Sequence, residues 1–317
     1  MNNSMDNALL LSLVIPTYNR SKYLDKQIGW AVESIGDKWD NIELVVCDNA
    51  SEDATKEICA KWKKILDNKI TIIVNNNNIG LVRNCLLGIS KAKGEFVWLI
   101  GDDDPIQVRA VASVLSTIKD NRQLNVIHLN HRCVSGIDGS IIIPKFYSVD
   151  RDIITDKGSK ELSKLLESHH TGGFMFITAN VINRNAAVCF MEDTPPEEDS
   201  LLAYPMLLNA GLASMGGFCL LESCYLDCVY HQSSWSNKYE EVSYEEVPRT
   251  LFKLKSKGVS NKAILFCLNH QYQGLHSLKD TLYILRKDPL YFKTDKFKKW
   301  AKRWALKNSL KWKLVSL

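Results

Sequence analysis

The sequence predicts an α/β fold in which a mostly parallel central sheet is flanked by helices on both faces. Two observations indicate this class. Short apolar runs alternate with amphipathic segments through the first half, giving four strand–helix units by residue 120. A polar loop also follows each of these strands, and the carboxyl ends of parallel strands meet at one edge of a sheet. The polar loops are therefore predicted to converge on one site.

The strands are predicted from apolar runs that are too short for buried helices. They cover residues 9–15, 42–47, 70–74, 95–100 and 126–129. Helices are predicted between them, with Ser21 and Ser51 as N-caps of the first two. The third helix is predicted to run from Asn78 to Ala92. Pro105 is predicted to begin the fourth helix, since proline is favoured at a first helical position.

The second half of the chain gives weaker signals. Residues 135–139 are typical of a hairpin turn, residues 159–168 of a short helix and residues 220–230 of a strand. A helical run over residues 200–210 is predicted to end at Gly211. Residues 243–290 are helical by pattern.

Composition and charge exclude several classes of protein. The 317 residues are 45% hydrophobic and carry a formal net charge of +4, but residues 293–317 alone hold nine Lys or Arg and one acid. The nine cysteines include no C-x-x-C pair, which favours a reducing compartment. We expect no signal peptide and no membrane-spanning run. P-loop and dinucleotide-binding motifs are missing after the first strand.

Three consecutive carboxylates, Asp102, Asp103 and Asp104, follow the fourth predicted strand and Gly101. Acids this close repel one another, and a bound divalent cation removes that repulsion. The triplet therefore predicts a Mg²⁺ or Mn²⁺ site that holds a diphosphate, because hard cations prefer oxygen ligands. The alternative is that the acids lie at a helix N-terminus, where negative charge is also favoured.

Four motifs occur in order between residues 15 and 104: Ile15-Pro16-Thr17-Tyr18-Asn19-Arg20, Asp48-Asn49-Ala50-Ser51-Glu52-Asp53, Asn78-Ile79-Gly80-Leu81-Val82-Arg83-Asn84 and Gly101-Asp102-Asp103-Asp104. Together they resemble the motifs of family 2 glycosyltransferases over roughly residues 9 to 120. The resemblance implies the GT-A fold, with a Rossmann-like sheet and a nucleotide-diphosphate sugar as donor. We predict a catalytic domain over residues 1–236, with a nucleotide-binding half (1–130) and an acceptor half (131–236). Residues 237–317 would then form a helical C-terminal region.

The resemblance also assigns residues to the donor site. The residues expected to bind the nucleotide sugar are Pro16, Thr17, Tyr18, Arg20, Asp48, Arg83 and Asp102. The metal would be held by Asp103, or by Asp104 if the register is one residue later. Two positions depart from the family pattern: Asn49 follows Asp48 where an acid or glycine is usual, and Gly101 replaces the first acid of the Asp-x-Asp motif.

The acceptor half carries two further assignments. Glu198-Asp199 is similar to the acidic pair of the family, in which the aspartate is the catalytic base that takes a proton from the acceptor hydroxyl. The alternative is that these acids favour a helix N-terminus. His231 follows the last predicted strand and is similar in place to a histidine that contacts metal or diphosphate, although a lone histidine is often a surface residue.

The tail, residues 293–317, combines basic residues with Phe297, Trp300 and Trp304 at helical spacing. This pattern is typical of a helix on an anionic membrane surface. Docking on the acidic body of the chain and nucleic-acid binding are alternatives, and the aromatic stripe disfavours the second.

The sequence as a whole predicts a metal-dependent glycosyltransferase that is cytoplasmic and peripheral on the inner face of the membrane. The family resemblance implies inversion at the anomeric carbon. The basic, tryptophan-bearing tail suits a lipid-linked glycan acceptor at the inner leaflet. The resemblance implies a role in the synthesis of surface polysaccharide, such as the O-antigen of lipopolysaccharide. Two rival functions remain. One is another nucleotide-sugar or nucleotidyl enzyme, and the other is a non-catalytic, membrane-associated scaffold of the same fold.

Overall fold

A nine-stranded sheet forms the centre of the computed structural model, which describes residues 9–169, 172–230, 238, 241–271 and 299. The strands are β1 (Leu11–Thr17), β2 (Ile42–Asp48), β3 (Ile70–Val74), β4 (Phe96–Leu99), β5 (Leu124–Ser135), β6 (Ile141–Ile143), β7 (Ile153–Thr155), β8 (Asn180–Asn183) and β9 (Gly217–Tyr230). The five strands predicted in the first half are all present. The ends of β1 to β4 lie within two residues of the prediction, whereas β5 continues six residues beyond its predicted end, to Ser135.

The strand order is β3-β2-β1-β4-β8-β5-β9-β7, with β6 paired to β5. Strands β1 to β4 are mutually parallel, as predicted. The second half is mixed, because β8 runs antiparallel to both β4 and β5, whereas β5 and β9 are parallel. From β1 the chain proceeds to β2 and β3 on one side and later to β4 on the other. The carboxyl ends of β1 and β4 therefore form a topological switch point, where open α/β sheets bind ligands.

Helices cover both faces of the sheet. They are α1 (Ser21–Ile35), α2 (Thr55–Leu66), α3 (Leu81–Lys91), α4 (Ala110–Asp120), α5 (Gly158–His169), α6 (Gly172–Met175), α7 (Arg184–Asp193), α8 (Tyr204–Met215), α9 (Val247–Ser256) and α10 (Asn261–Gln271). Side chains alternate along the strands, so Leu13 and Ile15 pack under α1, α2 and α4, whereas Val14 packs under α3 and the later helices. The sheet is thus buried on both faces.

The first two helices do not begin as predicted. Asp53 accepts hydrogen bonds from the backbone N–H groups of both Ser21 (2.9 Å) and Thr55 (3.1 Å), the first residues of α1 and α2. The hydroxyl of Ser51 instead accepts the N–H of Asn19 (2.9 Å). The reason is topological: the loops after β1 and β2 are neighbours at the sheet edge, so one carboxylate reaches both helix ends.

The prediction that Pro105 begins a helix is wrong. Helix α4 begins at Ala110, and the preceding chain pairs with β9 through a bridge between Ile106 and Leu226. The N–H of Gln107 donates to the carbonyl of Tyr225 (2.9 Å), which pins this segment in an extended form. The three acids therefore do not lie at a helix N-terminus, and the alternative explanation of their charge does not hold.

The second half confirms the hairpin and the short helix. Strands β5 and β6 pair antiparallel around a turn in which Gly139 has a φ of 73°, and α5 covers the predicted residues 159–168. The helix predicted over residues 200–210 is present as α8, but it begins at Tyr204, after a single 3₁₀ turn (Glu198–Ser200), and continues to Met215. Gly211 lies inside α8 rather than at its end. Glycine is favoured there because a Cβ would come within 2.6 Å of the Phe190 ring.

Helices α9 and α10 confirm the predicted helical pattern up to residue 271. His231 and the tail, residues 293–317 apart from Lys299, lie outside the described residues. Within the described part of the chain, no helix has the length and apolar character needed to cross a membrane.

Candidate active site

Residues 101–104, here called the acid turn, follow β4 at the switch point. The hydroxyl of Thr17, at the end of β1, donates to Asp102 (2.8 Å). The guanidinium of Arg20 lies with its Nε 2.9 Å from the other oxygen of Asp102, and its Nη2 pairs with Asp103. The loop after β1 and the loop after β4 are therefore joined through two carboxylates and one arginine.

Asp104 is directed away from Arg20 and into the protein. It accepts a hydrogen bond from the buried hydroxyl of Thr178, which in turn accepts the N–H of Gly101 (2.8 Å). A Cβ at residue 101 would collide with the carboxylate of Asp104. This explains why glycine replaces the first acid of the motif in this chain: the space is taken by Asp104.

The acid turn holds carboxyl groups that resist ionisation. Burial raises the pKa of Asp102 to about 6, against the opposing effect of Arg20. Burial, together with the charge of Asp103, raises the pKa of Asp104 to about 7, against the opposing effect of the Thr178 hydroxyl. The three carboxyl groups of the acid turn would carry three negative charges if all were ionised, and Arg20 supplies one positive charge against them.

The chemistry of these donors suits a hard divalent cation, since all are carboxylate oxygens. Asp102 and Asp103 already converge on one cationic group, the Arg20 guanidinium. In the part of the chain that the structure describes, no group of three or more His, Cys, Asp or Glu side chains is arranged to hold a metal ion. Arg20 instead contacts Asp102 and Asp103, whereas the Thr178 hydroxyl donates to Asp104.

The side chains expected around the nucleoside lie beside the acid turn. Asp48 ends β2, is buried and accepts the N–H of Ser51 (3.0 Å). Pro16 lies in β1 opposite Cys47 of β2. Tyr18 follows β1 and is 41% exposed, so its ring is accessible at the sheet edge.

An asparagine network explains the second departure from the family pattern. Asn49 donates to Asn78 (2.8 Å) and accepts from Asn75 (2.9 Å) and from the N–H of Ile79 (3.0 Å). Asn75 also donates to the buried Asn84 of α3 (3.0 Å). An amide both donates and accepts, so Asn49 secures the loop before α3 in a way that an aspartate could not.

Arg83, on α3, forms an ion pair with Glu198. Both side chains are exposed, at 42% and 80% respectively, so the contact lies at the surface of the site. Glu198 begins the 3₁₀ turn that also contains the backbone of Asp199, whose side chain lies outside the described part. Asp199, the candidate base, therefore directly follows a residue whose side chain contacts Arg83 of α3.

Segment 193–203, here called the base segment, is held from the other side by the C-terminal helices. Lys253 of α9 pairs with Glu197 (2.7 Å), and Lys257, just after α9, pairs with Asp193 (3.0 Å). The buried carboxylate of Glu246, just before α9, accepts the N–H of Ala203 (2.9 Å). Exposed ion pairs are weak one by one, but the buried acceptor fixes the backbone.

Sequence reasoning missed several of these residues. Thr178 stands in an apolar run, and Glu246 is one acid among many, so neither carried a signal. Asp53 did stand in a quoted motif, but its helix-capping role depends on the contact between two loops. The pairing of Arg20 with two acids could have been suspected from its place in the first motif.

The switch-point site and the mixed sheet define the class: a nucleotide-sugar-type GT-A fold. Solved structures of S. aureus TarS 1–349 in complex with UDP-GlcNAc share this fold, with a TM-score of 0.64 at 16% identity over 90% of this chain and 79% of that one. A mannosyltransferase from Pyrobaculum calidifontis, in complex with GDP-Man and Mn²⁺, aligns with a TM-score of 0.52 at 12% identity, covering 93% of this chain and 84% of that one. At such identities these likenesses show the fold.

The family follows from the sequence match. Residues 12–180, more than half of the chain, match the model described as glycosyl transferase family 2. This protein belongs to that family, as the four motifs predicted.

Curated relatives are similar over a shorter segment. The chain is 34% identical over 131 residues to the abequosyltransferase RfbV of Salmonella typhimurium, a match covering 41% of this chain and 38% of that protein. It is 30% identical over 133 residues to a GalNAc(5)-diNAcBac-PP-undecaprenol beta-1,3-glucosyltransferase of Campylobacter jejuni, covering 41% of this chain and 40% of that protein. The matched segment thus spans less than half of either relative.

Proposed function

We propose that this protein transfers a sugar from a nucleotide-diphosphate donor to a hydroxyl group of a glycan acceptor. The observation that carries the proposal is the acid turn at the switch point, joined to the loop after β1 by Thr17 and Arg20. Membership of glycosyl transferase family 2 and the match to the abequosyltransferase support a role in surface polysaccharide synthesis of the O-antigen type.

The donor would bind across the carboxyl ends of β1, β2 and β4. Asp48 and Tyr18 would contact the nucleoside, with Pro16 shaping the pocket and Arg83 free to exchange Glu198 for donor oxygens. Asp102, held by Thr17, would face the ribose. A Mg²⁺ or Mn²⁺ ion held by Asp103 would neutralise charge on the leaving diphosphate. The burial of Asp104 against Thr178 favours Asp103 over Asp104 in that role.

In the reaction, the acceptor oxygen forms a bond to the anomeric carbon while the bond from that carbon to the diphosphate oxygen breaks. We assign Asp199 as the base that takes the acceptor proton, which gives inversion at the anomeric carbon in a single displacement. The ion pair between Arg83 and Glu198 supports this assignment, because it brings the backbone of the base segment to the donor half. His231 would contact the metal or the diphosphate.

The acceptor is proposed to be lipid-linked, and the protein to be cytoplasmic and peripheral on the inner face of the membrane. The match to a transferase whose name specifies an undecaprenol-linked glycan supports the acceptor. The basic, tryptophan-bearing residues 293–317 support the membrane contact, since anionic lipid attracts such segments.

Calorimetric titration with nucleoside diphosphates, with and without Mn²⁺, tests the donor site. We expect one nucleotide to bind in a Mn²⁺-dependent manner, and Asp103→Ala to abolish that dependence. Glu95→Ala is the matched control, because Glu95 also pairs with an arginine but precedes β4 instead of following it. Absence of binding to every nucleotide would refute the transferase and leave a scaffold.

The acceptor chemistry is tested separately by Asp199→Asn. Release of nucleoside diphosphate from a matched donor and acceptor should fall by about a hundredfold or more, with donor affinity kept. Unchanged turnover in the variant would indicate another nucleotide-sugar or nucleotidyl enzyme that has no use for this base.

A further inference from the structure

Arg20 places one guanidinium across two acids of the candidate metal site. Its Nε lies 2.9 Å from Asp102, its Nη2 pairs with Asp103, and its Cζ lies 4.4 Å from the centre of the Tyr23 ring. The side chain is only 22% exposed. The arginine is thus held in place by two charges and a ring face, not by one flexible surface contact.

The acid turn gains no other full positive charge from the ion pairs found among the described residues. Asp102 and Asp104 take their remaining hydrogen bonds from neutral hydroxyl groups, those of Thr17 and Thr178. Arg20 is therefore the residue whose positive charge offsets part of the negative charge of the acid turn when no ligand is bound. The Nη2 of Arg20 donates a charge-assisted hydrogen bond to Asp103, which is stronger than a neutral one, and its Nε adds an ion pair with Asp102.

A divalent cation on Asp103 would need an oxygen that Arg20 now holds, and the two cations would repel each other. A diphosphate removes this conflict. Its oxygens can accept the arginine, since a guanidinium fits phosphate as well as it fits carboxylate. The same diphosphate can share the metal ion with the acids.

We propose that Arg20 is an exchange residue. It occupies the cation position of the acid turn in the donor-free protein and moves to the donor diphosphate when donor and metal bind together. This inference rests on the proposed donor chemistry. Its consequence is that metal binds weakly alone and much more tightly with a nucleoside diphosphate, so that the two ligands load as a pair.

The test is a titration of the full-length chain with MnCl₂, following free Mn²⁺ by its electron paramagnetic resonance signal, in the absence of nucleotide. Arg20→Gln should bind Mn²⁺ about tenfold more tightly than the wild type, because the charge-assisted hydrogen bond to Asp103 and the ion pair with Asp102 no longer compete with the metal. Arg122→Gln is the matched control. It removes one positive charge from an exposed pair with Glu95, before β4, and should leave Mn²⁺ affinity unchanged.

A second arm repeats the titration with uridine diphosphate and guanosine diphosphate. The wild type should gain more Mn²⁺ affinity from the effective nucleotide than Arg20→Gln does, because only the wild type has an arginine to release. Tyr23→Leu, which removes the ring under the guanidinium, should move Mn²⁺ affinity in the same direction by a smaller factor, and serves if Arg20→Gln fails to fold.

The outcomes separate the two proposals. Equal or weaker Mn²⁺ binding by Arg20→Gln, or by Tyr23→Leu in its place, overturns the exchange role. A third outcome is that Arg20→Gln binds Mn²⁺ more tightly while neither it nor the wild type responds to any nucleotide. That result supports competition at the acid turn, but it refutes the proposed function and with it the movement of Arg20 to the donor diphosphate.

Discussion

Thr178 offers a sharp test of how the acid turn is held. Its hydroxyl is fully buried, donates to Asp104 and accepts the N–H of Gly101 (2.8 Å). Thr178→Val keeps the shape of the side chain and removes both hydrogen bonds. Thr178→Ser keeps the hydroxyl and removes one methyl group. The pair of variants therefore separates the polar contribution from the packing contribution.

The expected magnitude follows from the groups left behind. In Thr178→Val the N–H of Gly101 loses a buried partner, and the Asp104 carboxyl loses the donor that the structure gives it. Each such loss costs about 1–3 kcal/mol, and protonation of the carboxyl relieves part of the second, so we expect a total of about 3 kcal/mol. Loss of one buried methyl group in Thr178→Ser should cost about 1 kcal/mol. Urea unfolding measures both free energies.

The loss of stability in Thr178→Val should also depend on pH, in a direction that follows from the pKa of Asp104. The pKa of Asp104 is raised to about 7 in the folded protein from its ordinary value of 3.8, so its ionisation costs folding free energy as pH rises from about 4 to 7. The Thr178 hydroxyl lowers this cost because it stabilises the charged form. The deficit of Thr178→Val should therefore be larger at pH 8 than at pH 5. Equal losses in the two variants, or a deficit that does not change with pH, would refute this account of the turn.

Three further predictions concern the surroundings of the site. Gly101→Ala should expel the Asp104 carboxylate and weaken Mn²⁺-dependent nucleotide binding at least about tenfold in calorimetry, whereas Gly29→Ala, at an open position, should not. Asn49→Asp should lower the free energy of unfolding by about 1–2 kcal/mol, because it cannot donate to the neighbouring asparagine; an unchanged urea midpoint would contradict the network. Lys253→Ala combined with Lys257→Ala should lower kcat several-fold while leaving donor affinity unchanged, and a loss of donor affinity would speak against a role confined to the base segment.

Much of the first half of the chain could be predicted because its signals are local. Strand β3 was predicted with the bounds Ile70–Val74 that the structure shows, since a short apolar run between polar loops has few other solutions. The grouping of the acid turn with Thr17 followed from parallel strands sharing one edge. Local periodicity and one topological rule were enough for these features.

The remaining details depend on contacts between segments far apart in the chain. The helix after the acids could not be placed correctly, because Pro105 and Ile106 are held by β9, more than a hundred residues later. The length of α8 was misjudged, because Gly211 serves close packing against Phe190 and not helix termination. A glycine or proline in a sequence indicates a local constraint on the backbone or its packing. Whether that residue begins a helix, ends one or permits close packing depends on the segments that contact it.

The contacts of α9 and its flanking residues with the base segment have a consequence for how such enzymes change acceptor specificity. The segment that would carry the catalytic base is secured by Glu246, Lys253 and Lys257, which lie beyond residues 12–180 that match the family. When the second half of the chain is exchanged between relatives, the product should therefore be active only if residues 193–257 all come from the same parent. A recombination crossover between α8 and α9 would separate the base segment from the helix that holds it, and evolution should avoid that junction.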